Sequence, residues 1–356
     1  MAGRNDEQVE RDGFPRQVLV FHGVGLLALG AVILLWFASS ALLLVFSGIL
    51  LAILLHDAGQ RLRRRVPVSP GAALGLVVGV ALVVLGLGGW LLAPGVADQA
   101  NQLVDAIPRS LQRLQATLER YGFLQQIMGQ LPSPESIASQ ASSMLARAGV
   151  FFSGILGAIA NVVIITFIGI YFAARPDSYI EGLVTLVPMR RRGRAREVLH
   201  EIGHTLARWL VGKLLSMVII GILTAVGLSL LDVPLALVLG IVAGLLDFIP
   251  YLGPIMAGVP AVLIAFAESP TLALYVALLF LGLQAAEGYL LMPFIDRRTV
   301  SLPPALTIIA QLLLGAFFGL AGVALATPLA AMLAVLVAML YVQDILGDPV
   351  KIPGEE

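Results

Sequence analysis

Charged residues are almost absent from long tracts of this chain. Val18–Leu55 carries no formal charge and contains only His22. It is long enough for two spans with a tight turn near Ala38-Ser39-Ser40. Gly71–Ala93 predicts a third span, Gly149–Ala174 a fourth, Leu214–Leu231 a fifth and Thr271–Ile295 a sixth clear span. Two further apolar stretches, Leu235–Ala267 and Leu302–Val342, are too long for a single crossing of a hydrocarbon core about 30 Å thick.

The first of these overlong stretches is interrupted once, by Asp247-Phe248-Ile249-Pro250-Tyr251-Leu252-Gly253-Pro254. Proline removes a backbone donor and clashes with the preceding turn, so no straight helix passes that point. Each half is short: Leu235–Ile249 would be about 22 Å long as a helix. The second stretch breaks at Gly315-Ala316-Phe317-Phe318-Gly319-Leu320-Ala321-Gly322. Two re-entrant hairpins, over 233–268 and 302–342, account for this better than four full spans. Each follows a clear span, and the two spans run in opposite directions. That is the pattern of an inverted repeat, in which paired broken segments mark the binding site. The alternative is that Gly and Pro are simply common in membrane helices.

Charge orients the chain. Arg61, Arg63, Arg64 and Arg65 fill one loop, and 175–213 holds Arg175, Arg190, Arg191, Arg192, Arg194, Arg196, Arg208 and Lys213; Arg297 and Arg298 follow the sixth clear span. In 94–148 four arginines are balanced by Asp98, Asp105, Glu119 and Glu135. The positive-inside rule then places both termini and the basic segments in the cytoplasm, and 94–148 outside. Within 94–148, Leu103, Ile107, Leu111, Leu114 and Leu118 share one helical face until Pro132 and Pro134 end the pattern. This region reads either as an amphipathic cap on the outer membrane face or as an oligomer contact.

The organisation that follows is a cytoplasmic segment 1–17, three spans in 18–93, an external helical region 94–148, a fourth span with a basic cytoplasmic segment 149–213, a transport core 214–342 and a cytoplasmic tail 343–356. Composition agrees. The 356 residues are 59% apolar and 12% charged, with mean hydropathy +0.95, which fits an all-helical polytopic membrane protein. Zero formal net charge argues against nucleic-acid binding. The absence of Cys removes disulfides, thiolate chemistry and cysteine-bound metal. No cleavage pattern of small residues precedes the first span, so a removable signal peptide is not expected.

The block 206–266, with its Phe-Ile-Pro-Tyr-Leu-Gly-Pro core (248–254), closely resembles the autoinducer-2 exporter family. So does Gln284-Ala285-Ala286-Glu287 followed by Pro293, Pro303, Gly315, Gly319, Gly322, Ala326 and Pro328. The resemblance runs from about residue 15 to 345, with its specific motifs between 206 and 330. It implies a transporter of about eight membrane segments in the bacterial inner membrane, assembled as a homo-oligomer. Within the family some members resemble exporters of autoinducer-2 and others sodium or lithium/proton antiporters, so the resemblance implies a small polar solute or a monovalent cation and proton as partners. Two positions depart from the common pattern: Lys213 stands where Gln is usual, and Asp247 where Asn is frequent.

Several residues are candidates for the chemistry. Glu287 lies inside the sixth clear span, where a carboxylate is costly unless it works, and protonation relieves that cost. Gln284 is one turn earlier on the same face; the alternative is that the two form a hydrogen-bonded pair joining helices. Asp247, with carbonyls freed by Pro250 and Pro254, would hold a cation or a polar solute near the first hairpin tip. Otherwise it caps the second half-helix. Tyr251 is a gate or a packing aromatic, and Gly253 belongs to the same tip. Gln311 is the matching polar residue of the second hairpin, and Asn161 is expected to join helices.

Two strings resemble enzyme motifs. His200-Glu201-Ile202-Gly203-His204 matches HExxH, which on a helix sets two imidazoles toward one zinc ion. It lies in the basic segment before the fifth span, on a helix with an apolar stripe of Leu199, Ile202, Leu206 and Trp209, and no third histidine follows in a zincin context. A metal site at His200 and His204 is the weaker reading. The string Pro304-Ala305-Leu306 lacks the two-carboxylate dyad of an intramembrane aspartyl protease. No G-x-x-x-x-G-K-[ST] loop is present, so an ATP-driven pump is not expected. The sequence therefore predicts a secondary transporter without cofactor, with a channel as the main rival and a zinc protease as the remote one.

Overall fold

The computed structural model describes residues 41–118, 148–291 and 302–349. The first span expected in 18–37, the turn at 38–40, the N-terminal segment, residues 350–356 of the C-terminal tail, Pro132, Pro134, Pro293, Arg297 and Arg298 lie outside these residues. All regular structure among the described residues is helical.

Helix α1 spans Ala41–Arg63 and α2 spans Pro70–Leu118. Helix α3 (Ala148–Ala174) meets α4 (Pro176–Thr185) at a sharp bend, 84° between the straight parts. Pro176 imposes this bend: the residue before a proline is pushed out of the helical region, and Arg175 adopts φ −143°, ψ 62°. Helix α5 (Arg192–Leu230) follows a single 3₁₀ turn. Among the described residues, five helices are long and apolar enough to cross a membrane, or six if the bent pair counts as one span. The protein is thus a multi-pass membrane protein. The expected total of about eight segments is not reached by these helices alone, since the first span lies outside the described residues and the first hairpin consists of two shorter helices.

Two helices run across changes in composition. The basic lead-in and the fifth span are one continuous helix, α5, about 58 Å long at 1.5 Å per residue. The third span likewise runs without interruption into the segment after Ala93, as α2. That extension packs along the first hairpin: the Val238 amide donates to Gln99 Oε1 at 3.2 Å, and Arg113 Nη1 donates to the Ala267 carbonyl at 2.6 Å. One helix therefore serves an orphan donor at the start of the hairpin and an orphan acceptor at its end.

The first hairpin is α6 (Ala236–Leu246) and α7 (Leu252–Glu268), joined through Asp247–Tyr251. Tyr251 adopts a left-handed φ of 64°, which reverses the chain there. At Gly253 a Cβ would fall on the Leu246 carbonyl, so only glycine lets the two arms approach.

Helix α8 (Pro270–Ala286) continues as a π turn over Glu287–Leu291. Its start is fixed by the Ser269 hydroxyl, which accepts from the Leu272 amide at 3.1 Å. Helix α9 (Pro304–Leu336) is followed by a π segment, Val337–Gln343. By length and composition Pro304–Gln343 could cross as one helix, but its backbone does not run straight. Gly319 sits at φ 61°, ψ −146°, a region open to glycine only. At Gly322 a Cβ would fall on the Leu314 carbonyl, although these residues would be about 12 Å apart along a straight helix. The chain therefore turns back inside the glycine block that the sequence marked.

Close backbone contact holds α5 to α6. A Cβ at Gly240 would lie 2.5 Å from the Ala225 Cβ, and one at Gly244 would lie 2.7 Å from the Met217 carbonyl and 3.0 Å from the Gly221 Cα. In lipid, where apolar side chains gain little by leaving their surroundings, such small-residue seams carry helix association. At the other end, Arg194 joins Asp344 at 2.9 Å and donates to Gln343 at 2.7 Å, tying the start of α5 to the last helical segment. Arg196 pairs with Glu181 at 2.7 Å; its hydrogen bond holds that carboxyl below the ordinary value. Both partners are exposed, so this pair adds little stability.

Candidate functional site

The glycine seam decides where Asp247 lands. Gly244 rests on Met217 and Gly221 of α5, and Asp247 follows less than one turn later. It is therefore brought to the face of α5 that carries Lys213 and Ser216. Lys213 Nζ lies 3.0 Å from Asp247 Oδ2 and 3.4 Å from Glu287 Oε1. Ser216 Oγ donates to Glu287 Oε1 at 3.2 Å, and Gln284 Nε2 donates to Glu287 Oε2 at 3.1 Å. All three ionisable residues are buried: Lys213 is 6% exposed, Asp247 1% and Glu287 8%.

The two carboxylates are not equally served. Glu287 receives hydrogen bonds from three side chains. Asp247 has the ammonium within ion-pair distance, yet neither of its oxygens receives a well-directed hydrogen bond from a described residue. A fully buried acceptor in that condition has capacity left for a ligand. Formally, two carboxylates and one ammonium leave one negative charge. Burying a net charge in an apolar setting is costly, so the cluster is suited to accept a proton or a monovalent cation.

Glu287 opens the π turn that ends α8. Such one-turn bulges recur at functional sites because they redirect a side chain out of the ordinary helical register. Gln284, at the end of the regular part, still reaches it.

The second hairpin contributes through Gln311, which is fully buried and whose Nε2 donates to the Pro250 carbonyl at 2.9 Å. The same carbonyl accepts from the Leu252 amide at 2.7 Å, and since Pro254 has no amide to offer, its second lone pair accepts across the interface. The Gln311 Oε1 has no hydrogen-bond partner among the described residues.

The structure thus brings together Asp247, Gln284 and Glu287, and links Pro250 to Gln311. Tyr251 is 45% exposed at the tip and acts on the backbone, as the left-handed link between α6 and α7. Gly253 acts by permitting close approach.

Sequence patterning places Lys213 at the end of the basic segment and assigns no role to Ser216, yet both belong to this cluster. Helical spacing was the available signal: both fall on one face of an otherwise apolar run, and Lys213 also departs from the family pattern.

The HExxH string forms no comparable site. His200 and His204 are exposed, while Glu201 pairs with Arg208 at 3.3 Å and lies 3.5 Å from the Thr205 hydroxyl. No group of three potential metal ligands occurs among the described residues.

Comparison with known proteins matches residues 26–341 to the AI-2E family transporter model. The chain is 28% identical over 261 residues to "Putative transport protein YrrI" of Bacillus subtilis, covering 70% of this chain and 73% of that protein. It is 31% identical over 180 residues to "Putative transport protein YueF" of the same organism, covering 49% of each. It is 26% identical over 166 residues to "Putative permease PerM" of Escherichia coli, covering 46% of this chain and 47% of that protein. With a family match across most of its length and a buried polar cluster at its broken helices, the chain belongs to the AI-2E family of membrane transporters.

Proposed function

We propose that this protein is a secondary transporter that exchanges a monovalent cation, sodium or lithium, for protons. The observation that carries this reading is the buried Lys213–Asp247–Glu287 cluster, with one formal negative charge and an Asp247 carboxylate whose only charged partner among the described residues is the Lys213 ammonium that it shares with Glu287. A proton and a monovalent cation are interchangeable neutralisers of such a site, and that competition couples their movements. Alternating access follows from rearrangement at the hairpin tips, where Gln311 meets Pro250. The protein acts in the bacterial inner membrane, with both termini cytoplasmic and as a homo-oligomer.

The test is proton flux in proteoliposomes that enclose a pH-sensitive dye and are pulsed with sodium or lithium. Cation-driven proton movement that is lost in Glu287→Gln supports the exchange. No movement from folded protein turns the reading to export of a small polar signal such as autoinducer-2, measured by efflux. Single-channel currents would instead identify a pore.

A further inference from the structure

Helix α4 meets α3 at 84°. Membrane spans are tilted by about 20° on average, so a helix at that angle to one runs along the bilayer surface. With ten residues α4 is about 15 Å long, too short to cross. Its sides differ in kind. Val184 is buried against the protein at 1% exposure, whereas Tyr179, Leu183 and Leu186 are 41%, 55% and 82% exposed. Those three follow one another at i, i+4 and i+7, a single apolar stripe. Ser178, Glu181 and Thr185 fall on the opposite side, where Glu181 pairs with Arg196. The Tyr179 ring packs on Phe172 of α3, with 4.1 Å between centroids, and braces the elbow.

Basic charge gathers at this elbow. Arg190 and Arg191 follow the stripe in the 3₁₀ turn; both are exposed, and neither forms an ion pair with a described residue. Arg192 donates to the Val187 and Thr185 carbonyls, both at 3.1 Å, which closes the turn and leaves its charge uncancelled. Helices α1 and α3 lie side by side and point the same way: Gly48 approaches Ile168, Gly169 approaches Leu51, and Leu55 clusters with Ala173. The exposed Arg63, Arg64 and Arg65 therefore emerge at the same end of the protein as the elbow.

We propose that α4 and the turn after it form a binding site for anionic lipid. The Tyr179–Leu183–Leu186 stripe enters the boundary between headgroups and acyl chains, and Arg190 and Arg191 bind the lipid phosphates. An apolar stripe flanked by arginine is the pattern of a helix lying in the membrane interface. Guanidinium matches phosphate as a two-pronged donor. The surplus of arginine without carboxylate partners selects an anionic surface over an uncharged one. Because Arg192 and the Arg196–Glu181 pair join α4 to the start of α5, lipid held here anchors the helix that carries Lys213. The lipid contact is independent of which solute is carried.

The chain has no native cysteine, so Leu186→Cys accepts a single fluorophore in the full-length protein. The labelled protein is reconstituted in phosphatidylcholine vesicles that contain the same small fraction of either dibrominated phosphatidylglycerol or dibrominated phosphatidylcholine. Bromine on the acyl chains quenches the label only where the stripe sits among them. Both lipids are expected to quench, with phosphatidylglycerol favoured about tenfold, since each guanidinium near an anionic surface adds about fivefold. Raising the salt concentration should weaken that preference. Arg190→Gln combined with Arg191→Gln should reduce it by about fivefold or more, and Arg190→Lys combined with Arg191→Lys should keep most of it. Equal quenching by the two lipids in the wild type would overturn the proposal. So would a preference that survives the loss of both arginines, or no quenching by either lipid, as when a second copy of the chain covers the stripe.

Discussion

Gln311 of the second hairpin donates to the Pro250 carbonyl of the first at 2.9 Å, and these residues are 61 positions apart. The bond joins the two irregular segments at the points where each is marked by the sequence. It also lies three residues from Asp247, so the tip that carries the carboxylate is held by the opposite hairpin.

Gln311→Leu should therefore loosen the tip. The Pro250 carbonyl would keep only the Leu252 amide and lose its donor from the second hairpin, at a cost of about 0.5–1.5 kcal/mol. A lower melting temperature in detergent and a reduced transport rate are expected. An unchanged melting curve would show that the bond does not hold the tip.

Glu287→Gln should abolish proton-coupled transport without disturbing assembly. Gln keeps a polar group near Ser216 and Gln284 and leaves Lys213 paired with Asp247 alone. Size-exclusion profile and melting temperature should match the wild type while the flux vanishes. Wild-type flux in this variant would remove Glu287 from the site.

The α5–α6 seam should be intolerant of added volume. Gly244→Ala would place a methyl group 2.7 Å from the Met217 carbonyl, and backbone cannot yield as a side-chain tip can. A loss of about 1–3 kcal/mol is expected. Gly282→Ala, with nothing within 4 Å of the new methyl, is the control and should be neutral or slightly stabilising. The measurement is thermal stability of the two purified variants side by side.

Because α2 engages both ends of the first hairpin, through Gln99 and Arg113, helix and hairpin are expected to move together. The chain has no native cysteine, so introduced pairs can be cross-linked cleanly. Gly95 approaches Leu237, with 3.5 Å between a Cβ at the first and Cδ2 of the second. Cysteines at these two positions should cross-link and leave transport within about twofold of the unlinked variant. Arrest of transport by the cross-link would show that α2 stays still while the hairpin moves.

His200→Ala and His204→Ala should leave transport and zinc content unchanged. Both imidazoles are exposed, and Glu201 is engaged by Arg208 instead of facing a ligand pair. Stoichiometric zinc lost in either variant would restore the metal reading.

Much of this was legible in one dimension. An apolar run of membrane length has few alternatives to a helix, because lipid offers no partner for the backbone. The breaks were legible too, since Pro250 and Pro254 forbid a straight helix and the Gly315–Gly322 block invites a turn. Glu287 and Asp247 stood out because an ionised group within an apolar tract is costly wherever it lies.

What the sequence could not decide was partnership. Lys213 lies 34 positions from Asp247 and 74 from Glu287 along the chain, so no local spacing rule links them. Its position beside a basic segment made it look like part of a loop, whereas helix α5 continues through it and turns it inward. At Ala93 and Lys213 a long helix crosses a change of composition without a break in backbone bonding. The glycines at 221, 240 and 244 could be counted from sequence, but only the packing of α5 on α6 converts them into a seam that delivers Asp247 to Lys213. Apolar pattern and backbone chemistry determined which segments are helices and where they break. Only tertiary packing decided which charges meet, because that depends on faces brought together from distant parts of the chain.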